Sequence, residues 1–195
     1  MHILKEIDIA HTICFSGHRP DRLPGKGNLN APETQKLIAV LREHIEYAIH
    51  NGKYTFINGL MAGWDVLAAE QIIELRKQYT HIRLLTIAPY SVHFFSREKC
   101  WTPEWVNRAR KVCRRQDIGI AIAENYRAGI YYERNRTLVD YSSELLCFWD
   151  GGKGGTRYTV KYAECRCYQY SNMSGGCQMC KTRNLTLFTK TPISK

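Results

Sequence analysis

Trp149-Asp150-Gly151-Gly152-Lys153-Gly154-Gly155-Thr156 is the stretch whose reading decides the fold. An apolar run, Leu145 to Trp149, precedes the glycines and has the character of a buried strand. After Thr156, the residues Val160, Ala163 and Glu164 fall at helical spacing. The order is therefore strand, glycine-rich turn, helix. Such a junction lets backbone N–H groups approach an anion, because no Cβ stands in the way and the helix dipole favours negative charge at its N-terminus. The natural guest is a phosphate. The order differs from a P-loop, where a Lys directly precedes the Ser or Thr; here Lys153 lies inside the glycines. An ordinary tight connection in an α/β protein is the competing reading.

Upstream segments repeat the pattern. Thr12 to Phe15 is a short apolar run that feeds Ser16-Gly17-His18-Arg19-Pro20, a second candidate anion site. Residues 20–32 read as a loop, and Leu37, Leu41, Ile45 and Ala48 then mark a helix that ends at Asn51-Gly52. A second strand, Tyr54 to Ile57, runs into Asn58-Gly59, Gly63 and Asp65, followed by helical spacing through Val66, Ala69, Ile72 and Leu75. Asp65 reads either as a residue of the helix N-terminus or as an acceptor for a ribose. His81 to Ile87 reads as strand three, closed by Ala88-Pro89-Tyr90, and Ile118 to Ala123 as strand four. A short helix is expected over Thr137 to Tyr141. The helix after the glycine turn is expected to reach about Tyr168 and to be broken by Ser171 to Gly176, before an edge strand over Asn184 to Thr189.

Strands alternating with helices predict an α/β, Rossmann-like doubly wound sheet, mainly parallel, with helices on both faces. Ligands of such sheets collect at the carboxyl ends of the strands, so Gly17, Gly59, Pro89 and the Gly151 to Thr156 turn are expected on one rim. The expected organisation is a domain over residues 1–168 and a cysteine-containing tail over residues 169–195.

The chain of 195 residues is 44% hydrophobic and carries a formal net charge of +10, which points to anionic partners such as nucleotides or nucleic acid. No run of about 18 apolar residues predicts a membrane span. The N-terminus holds Glu6 and Asp8 where a signal peptide would be apolar, so a cytoplasmic location is expected. Cys14, Cys100, Cys113 and Cys147 fall in apolar patterns and read as reduced thiols. Between Phe94 and Arg115, aromatics (Phe94, Phe95, Trp101, Trp105) alternate with basic residues, a pattern that suits either a solvated helix face or backbone contact and base stacking with nucleic acid.

Together, Ser16-Gly17-His18-Arg19-Pro20, Asn58-Gly59 with Gly63 and Asp65, Arg134-Asn135 with Val139-Asp140, and Gly154-Gly155-Thr156 with Tyr162-Ala163 resemble the YpsA/YoqJ-type family of small bacterial and phage proteins. That family belongs to the SLOG superfamily, with the DNA-processing protein DprA and the LOG phosphoribohydrolases. The resemblance spans about Ile13 to Ala163. It implies a Rossmann-like fold that binds a nucleotide or nucleotide-derived ligand as a sensor or regulator. At matched positions it implies that Gly17 and Arg19 contact the ligand, that Gly59, Gly63 and Asp65 form the adjoining wall, that Gly154, Gly155 and Thr156 hold phosphate, and that Arg134 and Asn135 lie near the pocket. SLOG folds often pair with themselves, so a homodimer is also implied.

One departure bears on chemistry. LOG enzymes carry a glutamate three positions after the Thr of their glycine turn, and Thr159 stands there in this chain. Without that carboxylate, strong catalytic activity is not expected. The alternatives are DprA-like nucleic-acid binding, or a nucleotide-processing hydrolase that uses Asp65 or Glu133 instead. Outside the region of resemblance, Cys165, Cys167, Cys177 and Cys180 could supply four thiolates to a structural zinc ion, although Cys165 and Cys167, two apart on a helix, point to different sides.

Overall fold

The computed structural model describes residues 2–174 and 181–185, with side chains over residues 4–166 and 182–185. Two 3₁₀ turns lead into β1 (Thr12–Gly17), followed by α1 (Pro32–His50), β2 (Thr55–Asn58), α2 (Trp64–Leu75), β3 (Arg83–Tyr90), the single turn α3 (Phe94–Arg97), and α4 (Pro103–Cys113). The chain continues through β4 (Ile118–Ala123), α5 (Ile130–Asp140), β5 (Glu144–Phe148), α6 (Gly155–Ser174) and β6 (Lys181–Asn184). Among the described residues the six strands are all parallel, in the order β4-β3-β2-β1-β5-β6.

Local chemistry explains the helices. α1 starts with Pro32 in its first turn, buries Leu37, Leu41, Ile45 and Ala48 at helical spacing, and stops where Gly52 takes a φ of 82°. In α4, Thr102 accepts the Trp105 N–H at 3.4 Å, Pro103 supplies a preset φ, and Trp105, Ala109 and Val112 form the buried stripe.

Alternation along the strands divides the core. Ile13, Phe15, Phe56, Leu84, Leu146 and Phe148 pack against α1, α2 and α4, while Cys14, Ile57, Leu85, Ile87, Leu145 and Cys147 pack against α5 and α6. Each fully buried large apolar side chain contributes roughly 1.5–3 kcal/mol relative to exposure, which makes this double layer the main source of stability.

Several elements differ in extent from the sequence reading, and β1 runs on through Ser16 and Gly17. β3 runs on through Ala88-Pro89-Tyr90, which was expected to close it, and Tyr90 pairs with Ala123. α5 starts at Ile130 rather than Thr137. α6 passes the expected break at Ser171 and ends at Ser174, and the strand after it is Lys181–Asn184, hydrogen-bonded to β5 within the same sheet. Residues 186–189 of the expected strand lie outside the described residues.

The strand order positions the site. From β1 the chain steps outward through β2, β3 and β4, then crosses back to place β5 on the other side of β1. The connections leaving β1 and β5 therefore diverge to opposite faces and open a crevice between their carboxyl ends.

Candidate functional site

The crevice is a cavity of about 410 Å³. The end of β1 and its loop (Phe15 to Arg19, Asp21, Arg22) form one wall, and the turn Gly152 to Thr156 forms the other. α5 closes the inner side with Tyr131, Tyr132, Arg134, Asn135 and Leu138, and Glu98 and Asp65 reach in from the β2–β3 half.

The glycine turn is pinned at its first half and open at its second. The Arg22 guanidinium donates to both Asp150 carboxylate oxygens at 2.7 and 2.6 Å, and Gly152 N–H donates to Oδ1 at 2.9 Å. The Gly152 N–H first, and then Arg22, hold the Asp150 carboxyl well below the usual carboxylate range. The Trp149 indole donates to the Gly152 carbonyl at 2.8 Å. Beyond this anchor Lys153, Gly154 and Gly155 are exposed, and α6 begins. The first N–H groups of a helix have no intrahelical acceptor, so α6 presents donors and the positive end of its dipole to the cavity.

His18 links this turn to the other half of the sheet. Its Nε2 lies 3.1 Å from the Asp150 N–H and 3.0 Å from Asp150 Oδ1. Burial first, and Arg22 second, push the ring below the ordinary histidine value, against the attraction of Asp150. In the neutral ring with its proton on Nδ1, Nε2 accepts the Asp150 N–H, and with a proton on Nε2 it donates to Asp150 Oδ1 instead.

At the cavity floor lies a buried ion pair. Arg134 Nη1 stands 3.5 Å from Asp65 Oδ2, with both side chains about 5% exposed. Asp65 also accepts the Met61 N–H at 3.3 Å, while its carbonyl accepts from the Asn58 amide at 3.1 Å. Burial pushes Asp65 up and Arg134 down to about 10, and Arg134 remains a cation at neutral pH. The guanidinium occupies the space above Gly59: a Cβ there would fall 1.0 Å from Nη1.

The residues singled out from sequence thus divide. Ser16, Gly17, His18, Arg19, Asp65, Arg134, Asn135, Gly154, Gly155 and Thr156 line one cavity, and the Asn135 amide reaches the Gly155 carbonyl at 3.5 Å. Gly59, Gly63 and Pro89 do not line it. Gly59 makes room for Arg134, Gly63 packs under the His18 carbonyl, and Pro89 is buried inside β3. Of the two arginines at 134 and 136, Arg134 faces inward and Arg136 is exposed.

Thr159 is buried in α6 and its hydroxyl donates to the Gly155 carbonyl at 3.0 Å, and Glu133 pairs with Arg127 outside the cavity lining. Cys165 is exposed, while the Cys167 side chain, Cys177 and Cys180 lie outside the described residues. In the aromatic-basic segment, Phe94, Trp101 and Trp105 are buried and Phe95 packs against them. Base stacking on that segment is therefore corrected: its aromatics belong to the core. Arg110, Lys111, Arg114 and Arg115 stay exposed.

Sequence reasoning missed Asp21, Arg22, Glu98, Tyr131 and Tyr132 as lining residues. Arg22 and Asp150 are 128 positions apart, and Glu98 meets Tyr131 from a loop, so only the tertiary fold brings them together. Among the charged lining residues, Arg22 is matched by Asp150 and Arg134 by Asp65, whereas Arg19 and Lys153 have no carboxylate within 4.0 Å among the described residues. Arg19 and Lys153 line the same cavity as the N-terminus of α6, and Arg19 acts on the Asp65 carboxyl without forming an ion pair with it.

The model of the YpsA family (YspA SLOG family) matches residues 13–175, and the chain belongs to that family. The uncharacterized SPbeta prophage-derived protein YoqJ of Bacillus subtilis (strain 168) is 26% identical over 137 residues, covering 66% of this chain and 78% of YoqJ. A UPF0398 protein of Brevibacillus brevis is 24% identical, covering 73% of this chain and 71% of its own, and one of Bacillus pumilus is 24% identical, covering 78% and 81%.

Proposed function

We propose that this member of the YpsA family binds a nucleotide or nucleotide-derived ligand in the crevice between β1 and β5, and acts as a cytosolic sensor or regulator rather than a strong catalyst. The observation that carries the reading is the open half of the glycine turn: Gly154, Gly155 and Thr156 lead into α6 and line one cavity with Arg19 and Lys153, neither of which forms an ion pair among the described residues. A phosphate seated there meets helix N–H donors, the helix dipole and both side-chain charges. Tyr132, half exposed at the cavity wall and braced edge-on by Tyr158 at 4.6 Å, offers an aromatic surface for a base. The volume falls within the range of small-molecule sites.

The Thr159 hydroxyl is turned to its own helix, and Asp65 is held in a buried ion pair. Neither group supports glycosidic-bond chemistry. Thermal-shift and calorimetric titration with nucleoside monophosphates, NAD, ADP-ribose and cyclic nucleotides tests the proposal. At least one is expected to raise the melting temperature of the wild type and to fail with Gly155→Asp. If none stabilises the wild type at millimolar concentration, nucleotide binding is abandoned.

A second reading rests on the exposed Arg110, Lys111, Arg114 and Arg115 of the α4 end, none of which has an ion-pair partner among the described residues. They suit backbone contact with single-stranded nucleic acid, with a steep loss of affinity as salt rises.

A further inference from the structure

We propose that Glu98 is the ribose-recognising group of this cavity, accepting a hydrogen bond from the 2′-hydroxyl of a ribonucleotide whose phosphate rests on the Gly154–Thr156 turn. The inference depends on the phosphate reading above and adds the sugar to it.

Three carboxylates line a cavity otherwise suited to an anion. Asp65 is neutralised by Arg134, and Asp21 is exposed to water at the mouth. Glu98 is different: it is half-buried, follows directly after α3, and has no cation within 4.0 Å among the described residues. A carboxylate so placed would repel a phosphate beside it. It fits a ligand that brings hydrogen-bond donors next to, but not on, its phosphate. In a nucleotide the sugar hydroxyls meet that description.

The carboxylate is also held in place. The Tyr131 hydroxyl donates to Glu98 Oε1 at 3.0 Å, and the Tyr90 hydroxyl lies 3.3 Å behind Tyr131. Burial raises the Tyr131 phenol, which therefore stays a donor throughout the physiological range. With Oε1 engaged, Oε2 remains to accept from a ligand. Tyr131 acts as a positioning residue on α5, the same helix that carries Arg134 and Asn135 into the cavity.

The test is calorimetric titration of the wild type, Glu98→Ala and Gly155→Asp with the four ribonucleoside 5′-monophosphates, their 2′-deoxy counterparts and inorganic phosphate. The wild type is expected to prefer the ribonucleotide by about tenfold or more, the worth of a hydrogen bond to a charged acceptor. In Glu98→Ala that preference is expected to shrink to within about twofold. Equal binding of ribo and deoxy forms by the wild type, or an undiminished preference in Glu98→Ala, overturns the role of Glu98 while leaving phosphate binding intact. If neither nucleotides nor inorganic phosphate bind the wild type, the phosphate reading falls and this inference with it.

Discussion

Gly17 and Gly59, at the carboxyl ends of β1 and β2, and Gly154 and Gly155, after β5, look alike in sequence, yet their surroundings are opposite. At Gly59 and Gly17 the missing side chain is filled by protein: a Cβ on Gly59 would collide with Arg134, and one on Gly17 would lie 2.4 Å from the Trp64 ring. In the turn after β5, nothing stands within 4 Å of a Cβ on Gly154, and the Asn135 amide is 3.8 Å from one on Gly155. The first set holds the rim together and the second keeps it open. A glycine-rich rim is therefore half scaffold and half site, and only the neighbours tell which half is which.

The sharpest contrast comes from substitutions that should affect one half alone. Gly59→Ala is expected to have the largest effect. It drives the Arg134 guanidinium off Asp65, and breaking a buried ion pair costs about 3–5 kcal/mol. Denaturant unfolding should show that loss, and Asp65→Asn should show a loss of similar size, because it strands the Arg134 charge without touching Gly59. A Gly59→Ala protein of wild-type stability would mean that Gly59 does not serve the ion pair.

Gly17→Ala should follow at about 1–3 kcal/mol, since the Trp64 ring is fully buried and has nowhere to retreat. Gly155→Asp lies on the other side of the divide. Its backbone does not require glycine, its Cβ has room, and a carboxylate in the first turn of α6 favours the helix dipole. Stability should stay within about 1 kcal/mol of wild type or rise. Phosphate-containing ligands should nevertheless lose about tenfold or more in affinity, because a fixed negative charge occupies the place of the phosphate. A Gly155→Asp protein that unfolds readily would place this glycine with Gly59.

Legibility in the sequence follows the same divide. The strand–glycine–helix units, the sheet class and most of the cavity lining were readable, because apolar runs and glycine turns are local signals. α5 was half missed for a physical reason. Its buried positions are Ile130, Arg134, Asn135, Leu138 and Val139, which is regular helical spacing, but Arg134 and Asn135 are polar and hide the apolar stripe. The residue that most disrupts the pattern is the one that pairs with Asp65. Pro89 read as a stop, yet it sits inside β3 and leaves that strand's pairing with β4 to continue at Tyr90. Arg22–Asp150 and Tyr131–Glu98 leave no sequence trace, since each joins residues distant in the chain.

The smallest effect concerns His18, the joint between the two halves. Its carbonyl accepts the Trp64 N–H at 3.1 Å at the start of α2, while its ring accepts the Asp150 N–H at the glycine turn. The folded ring titrates below the unfolded value near 6.5, so the unfolded chain takes up a proton first as pH falls. The stability contributed by the neutral ring is therefore fully present above pH about 6.5, and is lost as pH drops through the depressed folded value. NMR titration of the His18 ring, alongside unfolding at pH 5, 6, 7 and 8, follows both quantities. Protonation of the folded ring exchanges the Nε2 acceptor of the Asp150 N–H for a donor facing Asp150 Oδ1 at 3.0 Å, so the turn and its ligand affinity should change only as pH falls through the depressed folded value, below the point where stability begins to fall. If the His18 ring instead titrates above 6.5, the nearby Asp150 carboxylate outweighs burial and Arg22, and the joint is a charged pair whose stability is lost as pH rises.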